Sequence, residues 1–231
     1  MKILKYFQFS HLSESEEEKS YTFDELSPEA KKHAIDNNRD YHIDSHNWWD
    51  PIIEEFTEEI EAIGMTDIHC AFSGFYSQGD GASFTGKVKD NELFLTSIKL
   101  NPFDELGKGP RKNKFISDNI ENALTEFYEG IYITIQRNDS RYYHYNTISA
   151  NVEVDGEEEI EIMLSHDLDI NIDVQKECDK LEPLITDWAR EKSKDLYSSL
   201  ETYHDELTSD EAIANDLRSG GHSFDEEGNM I

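Results

Sequence analysis

The sequence predicts an α+β fold: an antiparallel sheet of about five to six strands with helices packed mainly on one face. Two hairpin patterns, at residues 67–89 and 131–154, supply most of the strands. Helical periodicity before, between and after them supplies the helices. The 231 residues suffice for one domain with a sizeable core, and no linker divides them. We therefore expect a single domain over 1–231, with residues 1–20 and 221–231 partly flexible.

The first part of the chain is predicted to form an edge strand followed by two helices. Residues 2–9 are compatible with a short edge strand. Ser27 followed by Pro28 has the pattern of a helix start, and this helix is expected to run into the 40s. A second helix begins near Asp50, and Gly64 ends it. Its apolar residues recur every three or four positions: Ile52, Phe56, Ile60 and Ile63.

The central part is predicted to be a meander of strands. Residues 67–76 and 82–89 alternate aromatic and small side chains around Gly79-Asp80-Gly81, which predicts a hairpin with a tight turn. A further strand is expected at 92–99. After a basic loop at Lys108 to Lys114, a helix is expected over 115–129.

The last part adds a second hairpin and the longest helix. Residues 131–137 and 141–154 are expected to pair, and residues 157–174 show a strand-like pattern. A helix follows from Val174 or Pro183 to Leu207. Residues 208–211 match a capping box for a final short helix, which Gly220-Gly221 ends.

Charge is the dominant global property, because 21 basic residues against 51 acidic ones give a formal net charge of −30. The C-terminal third is the most acidic part. Such a field repels nucleic acids, anionic lipids and free phosphates, and it attracts basic protein surfaces. We expect a basic protein partner, no direct nucleic-acid binding and no membrane binding. Solubility, or a salt-rich cytoplasm, would explain the charge equally well.

Cysteine content and hydropathy predict a soluble cytoplasmic protein. Cys70 and Cys178 have neither metal-type spacing nor the pattern of a disulfide framework. The first residues turn acidic too early for a signal peptide, and no segment approaches the length of a membrane span.

A row of carboxylates suggests a partner-binding face. On a strand, Asp167, Asp169 and Asp173 would share one face at steps of roughly 6.6 Å, which resembles a run of backbone phosphates. An ordinary solvated face is the alternative. The helix that follows adds further acidic residues to this predicted face: Asp179, Glu182, Asp187, Glu191 and Asp195.

Two other groups of residues have the composition of a ligand pocket and of a metal site. A pocket around the 72–86 hairpin would be lined by Tyr76, Gln78, Asp80, Arg141 and His144, with His144 as a general base beside Asp80. A purely structural hairpin is the alternative.

The second group is His42, His46 and Asp50, spaced for one helix face, where Pro51 disfavours the third ligand. We assign no catalytic residue, metal or cofactor.

Five stretches together carry a family resemblance: YTFDELSPEA at 21–30, Trp48-Trp49, SGFYSQGDGASFTG at 73–86, RYYH at 141–144 and LTSDEA at 207–212. They resemble a family of uncharacterised tailed-bacteriophage proteins, sometimes loosely labelled antitoxins, for which no activity is established. The resemblance implies a phage accessory protein, made in the host cytoplasm, that acts on host defence or regulatory proteins.

The leading functional expectation is a phage-encoded acidic protein that inhibits a host protein by charge or nucleic-acid mimicry. The host target would be a defence protein or a nucleic-acid-binding protein. The alternative is a small-ligand or nucleotide-binding protein, or an enzyme, with its pocket around the 72–86 hairpin. The sequence leaves the oligomeric state open.

Overall fold

A computed structural model describes residues 19–44, 47–103, 114–138, 141–168 and 173–231. Within these residues the chain forms seven α-helices and one antiparallel sheet of four strands. The predicted α+β class is confirmed, whereas the sheet has fewer strands than the five to six expected. In chain order the elements are α1 (Pro28–Asn37), α2 (Asp50–Ala62), β1 (Met65–Phe72), β2 (Ala82–Val88), α3 (Asn91–Ser97), α4 (Lys114–Gly130), β3 (Ile131–Arg137), β4 (Ile148–Val154), α5 (Glu157–Leu168), α6 (Val174–Leu207) and α7 (Asp210–Ser219).

The chain divides into two compact units, and each has its own apolar cluster. The smaller unit comprises Met1–His46 and Glu206–Ile231, and the larger comprises Asn47–Asp205. The prediction of one domain over the whole chain stays a prediction.

The smaller unit is built from α1, α7 and the end of the chain. Ser27 caps α1 by accepting a hydrogen bond from the Ala30 amide at 3.2 Å, as predicted, although the helix ends at Asn37 rather than in the 40s. The last helix is also confirmed, with Ser209 as its cap. The apolar cluster of this unit includes Phe23, Leu26, Ala34, Ile213, Leu217 and Phe224.

The larger unit is organised around the sheet, in which β1, β2, β3 and β4 lie side by side in chain order. Strands β3 and β4 pair in continuous register from Ile131 opposite Val154 to Arg137 opposite Ile148. The β1–β2 pair is interrupted between Thr66 and His69, where Asp67 has a φ of 54°. Both predicted hairpins are therefore confirmed as strand pairs, with shorter strands than expected.

One face of the sheet is buried and the other is exposed. Ile131, Ile133 and Ile135 of β3 are at most 2% exposed, whereas Tyr132 between them is 56% exposed. This alternation is the pattern of a sheet with one covered face. On the covered face, Trp188 of α6 contacts Phe84 of β2 and Phe94 of α3, with ring centroids 6.1 and 5.2 Å apart.

Helix α6 also covers the outer edge of β4. The Ala150 amide donates a hydrogen bond to the Thr186 hydroxyl at 2.8 Å, and Arg190 Nε donates to the Ile148 carbonyl at 3.2 Å. These side chains satisfy backbone groups that the edge strand leaves unpaired on this side.

The strand predicted at 92–99 is wrong, because residues 91–97 form helix α3. Asp90 caps this helix by accepting a hydrogen bond from the Leu93 amide at 2.9 Å. Phe94 and Leu95 are adjacent and both fully buried. A half-covered strand would turn neighbouring residues to opposite faces, so this pair fits a helix packed into the core.

The strand predicted over 157–174 is wrong as well, because residues 157–168 form α5. Three glutamates, Glu157 to Glu159, occupy its first turn, where the helix dipole favours negative charge.

The second strand of the second hairpin is shorter than the predicted 141–154. Residues 141–147 do not extend β4, because residues 145–147 form a 3₁₀ turn capped by His144. The predicted edge strand at 2–9 and residues 108–113 of the predicted basic loop lie outside the described residues.

Replacing Thr186 with Val should destabilise the larger unit. The substitution preserves shape but leaves the buried Ala150 amide without an acceptor, which costs about 1–3 kcal/mol. Urea unfolding would measure the loss. The control is Thr202→Val, the same change at an exposed position of α6, for which we expect a change within about 0.5 kcal/mol. Equal stabilities of the two variants would contradict the role assigned to Thr186.

Candidate functional site

The outer half of α2 is a uniformly acidic surface. Phe56 and Ile60 are 6% and 0% exposed and pack into the core. At about 100° per residue, the acidic side chains occupy the opposite half of the helix circumference. These exposed residues, which define the α2 acidic face, are Asp50, Glu54, Glu55, Glu58, Glu59 and Glu61.

The charge density of the α2 acidic face is comparable to that of a nucleic-acid strand. The helix has 13 residues and no basic residue. With a rise of about 1.5 Å per residue, its six carboxylates are spaced on average about 3.3 Å along the axis. One strand of duplex DNA carries one charge per about 3.4 Å.

A cleft of about 110 Å³ lies between α2 and α6 and continues this acidic surface. Its floor is apolar, and its rim carries Glu55, Glu59 and Asp195. Lys192 of α6 joins the two helices through an ion pair with Glu59 at 2.5 Å. The cleft is lined by Ile52, Glu55, Phe56, Glu59, Asp195, Leu196 and Ser199.

The acidic residues predicted on the long helix are all on its surface. Each of the five is exposed: Asp179, Glu182, Asp187, Glu191 and Asp195. Lysines of the same helix neutralise part of this charge. Lys194 pairs with Glu191 at 2.5 Å, and Lys192 lies 3.9 Å from Asp195. The outer surface of α6 is therefore less uniformly negative than the α2 acidic face.

The carboxylate row predicted on a strand does not form. Asp167 belongs to helix α5, and Asp169 lies outside the described residues. The Asp173 carboxylate accepts a hydrogen bond from the Lys176 amide at 2.8 Å, so it supports the start of α6. A helix does not keep residues two apart on one face, which is the spacing that the row required.

Three carboxylates near the start of α6 lie close enough together to hold a divalent cation. Oxygen atoms of Glu157, Glu161 and Asp173 are within 4.8 Å of one another. Glu161 accepts a hydrogen bond from the Val174 amide at 3.0 Å, and Asp173 accepts one from Lys176. These bonds give two of the three carboxylates a structural role at the junction of α5 and α6.

The loop between β1 and β2 is longer than the tight turn predicted. Residues 73–81 form it, and the Ser73 amide donates to the Gly81 carbonyl at 3.0 Å. Asp80 accepts a hydrogen bond from the Ser77 amide at 2.7 Å, and Gly79 has a φ of 97°. Asp80 thus supports the loop conformation.

The five predicted pocket residues lie on segments that pack together, but their polar groups make separate local contacts. Tyr76 donates a hydrogen bond to Asp205, and Arg141 donates one to the Tyr142 hydroxyl at 2.5 Å. His144 Nδ1 accepts a hydrogen bond from the Asn146 amide at 3.2 Å. Gln78 is exposed. His144 nevertheless lies against the turn that carries Asp80, because its Cα would be 2.9 Å from a Cβ at Gly81, and the Asp80 carboxylate bonds to Ser77. The predicted pocket, with His144 as a base beside Asp80, stays a prediction.

An aromatic cluster lies beside this loop, and it was not predicted from the sequence. Phe75 lies 4.9 Å from His204 of α6, and Trp48 lies 5.6 Å from the same ring, centroid to centroid. Tyr76 stands at the rim and is 74% exposed. Its hydrogen bond to Asp205 raises the pKa of Tyr76 to about 12. The adjacent Trp48-Trp49 pair is a signal that could have indicated this cluster.

His42, His46 and Asp50, to which no metal was assigned from the sequence, do not all lie within the described residues. His42 pairs with Asp216 of α7 within the smaller unit, and His46 lies outside the described residues.

Along the described part of the chain, no helix is both long and apolar enough to cross a membrane.

Comparison with known proteins finds one family. Residues 48–210 match the family described as "Domain of unknown function (DUF8835)". The match nearly coincides with the larger unit, Asn47–Asp205. Neither a curated protein nor a solved structure matches the chain.

Replacing Gly81 with Ala should separate the 73–81 loop from residues 142–144. A Cβ at Gly81 would lie 2.9 Å from His144 Cα, so one of the two backbones must move, at a cost of about 1–3 kcal/mol. Thermal unfolding would report the loss. Gly74→Ala is the matched control in the same loop, because its Cβ would approach no heavy atom closer than 4.0 Å. A Gly81→Ala protein as stable as the control would contradict the close packing.

Proposed function

The chain belongs to the DUF8835 family, and from that starting point we propose that it is a binding protein whose α2 acidic face occupies a basic site on another protein. The site on the partner is one that otherwise binds nucleic acid. The protein acts by competition at that site, without a chemical step of its own.

The observation that carries this proposal is the charge density of α2. Six exposed carboxylates on one half of a helix, without a basic residue on that helix, give a negative surface as dense as one DNA strand. A basic surface that recognises phosphates by charge will accept such a helix. The adjoining cleft adds the partly exposed side chain of Ile52 and the carboxylate of Asp195 to this surface.

We also propose, from the resemblance of the sequence to tailed-bacteriophage proteins, that the partner is a bacterial host protein. Defence proteins and regulators that bind nucleic acids expose basic surfaces, and an acidic competitor bound there inhibits them. The net charge of −30 adds long-range attraction to any basic partner, which accelerates the encounter at low ionic strength.

Neutralising the α2 acidic face should weaken capture of the partner. In the variant Glu54→Gln, Glu55→Gln, Glu58→Gln and Glu61→Gln, Glu59 is kept because it pairs with Lys192. At a few tenths of a kcal/mol per exposed charge, binding falls on the order of tenfold. The measurement is affinity purification from bacterial lysate with the immobilised protein, followed by elution with duplex DNA and by a salt series from about 50 to about 200 mM.

A control with the same net charge separates this site from general acidity. The variant Asp179→Asn, Glu182→Gln, Asp187→Asn and Glu191→Gln removes four negative charges from α6. It should retain most of the captured protein, because the α2 acidic face is intact. Equal loss in both variants would assign binding to net charge alone. Capture that neither DNA nor salt reverses would overturn the proposal.

A further inference from the structure

We infer that Tyr76, Asp205 and Glu201 form a binding site for an arginine side chain of the partner. This inference rests on the proposed function, since it supplies a specific contact for the basic protein that the α2 acidic face attracts. It concerns a different surface of the larger unit, on the loop between β1 and β2 and the end of α6.

The loop that carries Tyr76 is fixed on α6. The Tyr197 hydroxyl donates a hydrogen bond to the Gly74 carbonyl at 3.4 Å. The Phe75 ring contacts Tyr197 and His204, with centroids 5.5 and 4.9 Å away. Tyr76 is therefore presented from a supported position, and a partner need not order the loop on binding.

Tyr76 is held in an exposed position at an energetic cost. Its φ of 73° is a left-handed conformation that residues other than glycine rarely adopt. Its side chain is 74% exposed, although Phe75 beside it packs into the aromatic cluster. Single exposed aromatic residues are common and need no explanation. The hydrogen bond to Asp205, however, holds the orientation of this ring.

The surroundings of the ring are negatively charged. The Asp205 side chain is 57% exposed, and its Oδ1 accepts the Tyr76 hydrogen bond and also lies 3.4 Å from His204 Nδ1, which leaves Oδ2 for a further donor. Glu201 lies one turn before Asp205 on α6 and therefore on the same side of that helix. An aromatic face beside two carboxylates is suited to a cation that stacks and donates hydrogen bonds.

Arginine satisfies both requirements, because its planar guanidinium stacks on a ring while its N–H groups bond to carboxylates. A lysine ammonium is a point charge without a plane, and it gains less from this geometry. The site should therefore add, through the Tyr76 ring, to the preference for arginine over lysine that carboxylates alone provide.

The test uses the full-length protein with two peptides of equal length and charge, hexa-arginine and hexa-lysine. Fluorescence anisotropy gives both dissociation constants. The wild-type protein should bind hexa-arginine more tightly, and Tyr76→Leu should lower that preference about three- to fivefold. Tyr76→Phe keeps the ring and should keep most of the preference. The control is Tyr132→Leu, which removes a tyrosine that is 56% exposed on the open face of the sheet and should change nothing.

The outcomes separate this inference from the proposed function. An unchanged ratio of the two constants in Tyr76→Leu, with the fold intact by circular dichroism, overturns the arginine site and leaves the α2 proposal standing. Conversely, lysate capture that is insensitive to the α2 variant overturns the proposed function and leaves an arginine preference at Tyr76 intact. Equal binding of both peptides by the wild-type protein also overturns the inference.

Discussion

The packing of α6 against the sheet is the interaction on which the rest of the larger unit depends. A stripe on this 34-residue helix is buried, and it is apolar apart from Ser193: Val174, Cys178, Leu181, Ile185, Ala189, Leu196 and Leu200. Because the stripe fixes the rotation of the helix, Thr186 and Arg190 meet β4, Lys192 meets Glu59, and Asp205 meets Tyr76. The acidic cleft and the aromatic loop thus flank one helix whose orientation the core determines.

The α2 acidic face exists because burial outweighs repulsion. Glu54 with Glu58, and Glu55 with Glu59, are like-charged neighbours four residues apart, each pair costing about 0.2–0.5 kcal/mol. Burial of Phe56 and Ile60 contributes about 1.5–3 kcal/mol each. The helix therefore tolerates a charge pattern that would weaken it in isolation. Mixed lysine and glutamate would avoid this repulsion, as α6 illustrates with its internal ion pairs.

Local signals in the sequence predicted most elements, and tertiary contacts account for the errors. The Ser27-Pro28 start, the apolar spacing of α2 and both strand pairs could be predicted from residues alone. The 92–99 segment was misassigned because strand-like composition outweighed the cap at Asp90. The prediction of a carboxylate row at 167–173 was wrong because it assumed a strand where residues 157–168 form a helix. The contacts of Tyr76 with α6 join residues 129 positions apart, a separation that no periodicity reveals.

The two outer edges of the described sheet are unsuited to adding another strand. Thr186 and Arg190 already use backbone groups of β4, and the irregularity at Asp67 bends the outer edge of β1. Exposed edges are the usual starting point of polymerisation and domain swapping. With both edges obstructed and a net charge of −30 on every copy, edge-to-edge association of copies is disfavoured. For the competitor that we propose, this would leave each copy available to its partner.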